Sequence, residues 1–168
     1  MKFKKCFTLL CCLAMATCAM AQVERGDVSV AFDLGYGSLN SNVGIGARIQ
    51  YGLIDHLRVE AGTDYFFKNK HTTVWDINAN VHYLFNIVNE RHNVYPIVGL
   101  NLTSAFYDEQ NWEKRAEYGK SDTNFGVNLG AGYEYTLTDH IRVGLEYRHS
   151  IEKNTDQGFI AAHIGYKF

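Results

Sequence analysis

Apolar residues alternate with small or polar ones along nearly the whole chain after its first 21 residues, and a period of two is the signature of half-buried β-strands. Val43, Ile45, Ala47, Ile49, Tyr51 and Leu53 fall on one face, with Gly44, Gly46, Arg48, Gln50 and Gly52 on the other. Phe125, Val127, Leu129, Ala131 and Tyr133 alternate in the same way with Gly126, Asn128, Gly130, Gly132 and Glu134. No stretch after the leader repeats apolar residues at i, i+3, i+4 and i+7, the helical spacing. Alternation covers eight segments, at about 28–38, 43–53, 57–67, 73–85, 94–106, 123–137, 141–149 and 158–168. An even number suits closure of an antiparallel sheet. The expected fold is all-β, an eight-stranded antiparallel up-and-down β-barrel.

Alternation alone does not say which face is outside, because a soluble barrel that binds lipid would have its apolar face inward. Aromatic placement decides. On the apolar face Trp75 and Tyr83, Phe125 and Tyr133, and Ile160 and Phe168 are each eight residues apart, with Phe67 and Tyr147 near the opposite strand ends. Eight steps of about 3.3 Å on a strand tilted by about 40° rise roughly 20 Å, close to the apolar band between the aromatic girdles of a membrane barrel. A water-facing exterior would not carry such rings, so the barrel is read as transmembrane. The mildly negative mean hydropathy is no objection, since half of each spanning strand faces the lumen.

The first 21 residues have a different pattern and read as a cleaved secretory signal: Lys2, Lys4 and Lys5, then an apolar run from Phe7 to Ala16, then Ala19-Met20-Ala21 before Gln22. The expected domains are therefore a signal peptide, 1–21, and a barrel, 22–168. Acylation at Cys18 is disfavoured because Met15-Ala16-Thr17 is a poor lipobox. Cys6, Cys11, Cys12 and Cys18 all lie in the signal, which leaves the barrel no thiol for a disulfide, metal or nucleophile. With three of 16 basic residues and none of 18 acidic ones in the signal, the barrel carries 13 against 18, a formal charge of −5. That balance argues against a nucleic-acid partner.

Connections alternate in character, as expected when tight turns face the periplasm and looser loops face outside. The compact turns are 53–56 and 137–140, with 86–93 a third connection at the same end; the opposite set is 39–42, 68–72, 107–122 and 151–157. Two tight turns share a string, Tyr51-x-Leu53-x-Asp55-His56-Leu57-Arg58-Val59 and Tyr135-x-Leu137-x-Asp139-His140-Ile141-Arg142-Val143, displaced by 84 residues. A four-strand duplication would produce it. Reuse of one turn chemistry, in which Asp bonds its own backbone, is the simpler account.

The run from Gly132 to Arg148, the eight strands, and the closing His163-Ile164-Gly165-Tyr166-Lys167-Phe168 together resemble the small outer-membrane barrels typified by the OmpA transmembrane domain, OmpX and the opacity-type proteins. The resemblance covers the whole mature chain. It implies integral placement in the outer membrane of a Gram-negative bacterium, lipid and lipopolysaccharide as surroundings, and the barrel assembly machinery as a partner. It also implies that Gly165, Tyr166 and Phe168 form the C-terminal assembly signal. No peptidoglycan-binding domain is expected after Phe168.

Counting from the turn centres pairs Asp33 with Arg48, Arg48 with Glu60, and Glu134 with Arg142, all on the polar face. An eight-stranded barrel has room for side chains and little else, so these charges are read as a plug in preference to a conducting pore. His82 and His163 are expected to point inward as fillers; no histidine pair has metal-ligand spacing, and no cofactor is expected. Tyr147-Arg148-His149-Ser150 faintly resembles the signature of barrel lipid A deacylases, but adjacent residues of a strand point to opposite faces, so His149 cannot take the Ser150 proton. No catalytic residue is assigned. The leading expectation is a non-enzymatic barrel acting through its surface loops, with Trp112, Lys114, Arg115 and Tyr118 as candidate contacts for an extracellular ligand. A small-solute channel is the alternative, and a soluble lipid binder a third.

Overall fold

The computed structural model describes residues 25–38, 41–69, 72–88, 91–107, 121–152 and 156–168. The signal segment 1–21 and the candidate contacts Trp112, Lys114, Arg115 and Tyr118 lie outside them. The strands are β1 (Val28–Gly37), β2 (Asn42–Ile54), β3 (Leu57–Asn69), β4 (Thr72–Tyr83), β5 (Phe85–Val88), β6 (His92–Tyr107), β7 (Ser121–Thr136), β8 (Ile141–Glu152) and β9 (Gln157–Lys167). β4 and β5 both pair with β6 and form one stave interrupted at Leu84, so the wall has eight staves. Each stave pairs antiparallel with the next, and β1 closes the cylinder against β9. The fold is the eight-stranded antiparallel up-and-down barrel that alternation predicts.

Strand limits differ from expectation at a few places. Leu84 separates β4 from β5; its N–H donates to the His56 carbonyl (2.7 Å), and its side chain turns into the lumen. His92, expected in a connection, opens β6. β8 continues past His149 to Glu152, where the apolar pattern weakens but the backbone ladder does not. The wall is uneven: β6 and β7 have 16 residues each, and the ladder from β7 to β8 begins only at Gly126 and Glu152.

The faces are inverted relative to a water-soluble protein. Phe32, Phe125 and Phe168 are 62%, 64% and 70% exposed, while Arg48, Arg58, Glu60 and Glu134 are buried. Tyr83, Tyr133, Ile160, Phe67 and Tyr147 all lie on the outer surface. In a bilayer that surface meets acyl chains, and the pairing of each stave with both neighbours closes the sheet on itself, as a spanning sheet must to have no open edge.

Candidate functional site

The lumen is filled in layers. At mid-height Arg48 donates through Nε to Asp33 Oδ2 (2.7 Å) and through Nη1 to Glu60 Oε2 (3.0 Å) and Glu146 Oε2 (2.7 Å); its Nη2 also contacts Asp33. Glu60 accepts further bonds from Gln50 Nε2 (2.8 Å) and Asn80 Nδ2 (3.0 Å). Toward the tight turns, Glu134 accepts from Arg58 Nη1 (3.0 Å) and Arg142 Nη1 (3.1 Å). Toward the opposite end, Arg148 pairs with Asp64, and Asn78 Nδ2 donates to Asp64 Oδ2 (3.0 Å) and Asp76 Oδ1 (2.5 Å). Each luminal arginine, Arg48, Arg58, Arg142 and Arg148, therefore touches at least one carboxylate. Such pairing offsets desolvation, which would otherwise forbid charges at this depth.

Two apolar clusters bracket this network. Near the turn end Leu84, Tyr95 and Ile97 pack together, with the Arg58 guanidinium 5.1 Å from the Tyr95 ring centre and His82 stacked on the same ring. Near the loop end Phe66, Val74, Ala105, Phe159 and Ala161 form a lid, the two phenyl rings edge-to-face at 5.1 Å. Glycines make the space for those rings. A Cβ on Gly44 would lie 2.7 Å from Phe66, and one on Gly35 2.6 Å from Phe159, distances that real side chains do not tolerate.

The expected residues Asp33, Arg48, Glu60, Glu134 and Arg142 all lie in the lumen and touch as anticipated, but not in the expected register. Asp33 stands opposite Gly46, Arg48 opposite Ala31 and Gly62, Glu60 opposite Gln50, and Glu134 opposite Gly144. Each expected pair is a diagonal neighbour. A slip of two residues keeps every side chain on its face, and arginine is long enough to span the diagonal. Glycine opposite Asp33 and Arg48 leaves room for that reach. Arg58, Asp64, Glu146 and Arg148 were not singled out from the sequence, although strand parity alone marks each as inward.

His82 and His163 point inward, their Nε2 atoms 3.7 Å from Glu60 and 3.8 Å from Glu134. Among the described residues no cluster of His, Cys, Asp and Glu could hold a metal ion. Ser150 faces the lumen and donates to Asn128 Oδ1 (2.7 Å), whereas His149 faces the other way, so the two do not form a nucleophile and base. At the closing seam Gly165 lies beside Ala31, Tyr166 faces outward, and the Phe168 N–H donates to the Val28 carbonyl (3.0 Å).

Solved structures share the architecture. The N-terminal β-barrel domain of Pseudomonas aeruginosa OprF is 14% identical with a TM-score of 0.69 over 86% of this chain and 100% of that one. Neisserial surface protein A is 21% identical with a TM-score of 0.64 over 84% and 96%. Ail, the attachment invasion locus protein of Yersinia pestis, is 14% identical with a TM-score of 0.60 over 86% and 99%. No curated protein matches the sequence. The profile of one family, described as the outer membrane protein beta-barrel domain, matches residues 7–168. Inverted faces, a closed eight-stave wall and that nearly full-length match agree: the chain belongs to the outer membrane protein beta-barrel domain family.

Proposed function

We propose that this protein is a non-enzymatic, closed barrel that works at the cell surface by presenting its extracellular loops to a partner. The observation that carries the reading is the filled lumen: a paired charge network at mid-height, bracketed by apolar clusters, leaves the loops as the part free to act. Loops on a rigid scaffold are where binding residues concentrate. The segment between β6 and β7, with Trp112, Lys114, Arg115 and Tyr118, joins the two longest strands and is the favoured contact region. Ail, which shares the fold, carries the name attachment invasion locus protein.

The same reading takes 1–21 as a signal peptide cleaved before Gln22, lipopolysaccharide as the outer-leaflet surroundings, and the assembly machinery as the partner that inserts the barrel. Two measurements test it. Planar-bilayer recording of the purified barrel is expected to give no steady single-channel conductance; a stable open level would replace the reading with a channel. Deletion of 108–120 is expected to abolish adhesion of cells to host or environmental surfaces while leaving folded barrel in the membrane, and undiminished adhesion would remove that segment from the account.

A further inference from the structure

The repeated Asp-His turns are not used by the luminal network, and although their backbones differ, His56 alone having a positive φ, each sets its histidine against the neighbouring strand in the same two ways. In the first, the His56 carbonyl accepts the N–H of Leu84 (2.7 Å), and the imidazole stacks on Tyr83 at 6.2 Å and 20°. In the second, the His140 carbonyl accepts the N–H of Lys167 (2.8 Å), and the imidazole stacks on Tyr166 at 5.6 Å and 18°. The tyrosines occupy equivalent ladder positions, Tyr83 opposite Leu57 and Tyr166 opposite Ile141. The first turn lies on β2 to β4 and the second on β7 to β9, on opposite sides of the cylinder.

The chemistry of each group is specific. Asp55 and Asp139 are exposed, and neither pairs with a cation among the described residues. His140 Nδ1 lies 3.0 Å from the Lys167 carbonyl, which can only accept, so Nδ1 carries the hydrogen and the neutral ring presents Nε2 as an acceptor. An exposed carboxylate next in sequence to a histidine whose ring lies against a tyrosine offers the kinds of group that suit a cation able to donate hydrogen bonds. His56 holds this place at a φ of 71°, a conformation glycine would adopt without strain. Asp27 and Lys167 at this end pair with each other at 3.0 Å, and Arg25 and Arg91 also lie at the turn end. Arg58 and Arg142, next along the chain, are turned into the lumen.

We propose that Asp55-His56 with Tyr83, and Asp139-His140 with Tyr166, are two sites for the primary ammonium headgroup of an aminophospholipid in the leaflet at the turn end. Both tyrosines stand on the exposed outer face at the turn end, the level at which headgroups meet the barrel. A quaternary choline head has no hydrogen to donate to the carboxylate or to Nε2, so the sites favour ethanolamine. The third turn-end histidine is an internal control. His92 sits behind Arg91 instead of an aspartate, and its Nδ1 is engaged by the Tyr133 hydroxyl at 2.6 Å.

Imidazole ¹⁵N NMR of the folded protein in phosphatidylcholine nanodiscs, with phosphatidylethanolamine added in steps, tests this. His56 and His140 signals are expected to shift and saturate while His92 stays fixed. The paired variant Asp55→Asn with Asp139→Asn, its fold checked by heat-modified mobility, should raise the half-saturating lipid fraction about two- to three-fold, the size of an exposed ion pair. An equal shift at His92, an unchanged half-saturation in the variant, or the same response to phosphatidylglycerol would overturn the proposal. So would matching shifts from soluble ethanolamine at the same concentration, since the sites would then read a free amine and not a lipid.

Discussion

Arg48 is held by carboxylates from three strands, Asp33 on β1, Glu60 on β3 and Glu146 on β8. Removing it strands three buried acids, and breaking such a network by deleting one partner costs about 3 to 5 kcal/mol. Arg48→Ala should therefore clearly lower stability in urea titration of the barrel, with Arg48→Lys keeping part of the loss because charge remains without the fork. A loss under about 1 kcal/mol, as for exposed pairs, would mean that the lumen is wet. The glycine floors make a second residue-scale prediction. Gly44→Ala forces a methyl against Phe66 and should destabilise by about 1 to 3 kcal/mol, as overpacking does. Phe66→Leu in the same chain should recover part of that. If Gly44→Ala alone is neutral, Phe66 does not rest on the β2 backbone.

At the level of the strand, alternation read from the sequence placed nearly every side chain on its observed face, because face depends only on parity. Pairing was harder to read. Asp33 and Arg48 are diagonal and not opposite, because the β1–β2 ladder runs from Val28 opposite Tyr51 to Gly37 opposite Asn42, two residues from the register counted off the sequence, and a slip of two leaves parity unchanged. Contacts across the lumen, such as Arg148 with Asp64, depend on how a closed sheet is sheared, which no single hairpin encodes. The lid residues Phe66 and Phe159 were also hidden, because an inward aromatic at a strand end reads like a girdle residue one position out of step. The last strand carries its own prediction. Phe168 is outward, 70% exposed, and packs edge-to-face on Tyr166 at 5.3 Å, so little barrel packing depends on it. Phe168→Ala should nonetheless lower the folded, heat-modifiable fraction in cells while barely changing refolding into detergent from urea. Equal losses in both settings would make Phe168 a structural residue and not an assembly signal.

For the whole molecule, the parity of turns and loops fixes a topology that proteolysis of intact cells can check. Trypsin added outside should cut at Lys114, Arg115 and Lys120 and leave the turn-end Arg91 untouched; a cut at Arg91 would invert the barrel. Arg58 and Arg142 should be spared as well, being buried in the lumen.

Arg58 and Arg142 come from the two copies of one turn string, yet both reach a single acid, Glu134. Arg142 finds it across a neighbouring hairpin, but Arg58 is on β3 and finds it across the bore, as Arg48 finds Glu146. On an unrolled sheet those partners are apart, so a half-formed wall keeps the pairs made within hairpins, Arg48 with Asp33 and Glu60 and Arg142 with Glu134, but leaves Arg58 without its acid and Arg48 without Glu146. Rolling the sheet shut supplies the rest. The cross-bore pairs thus favour the completed cylinder over an open or misaligned seam.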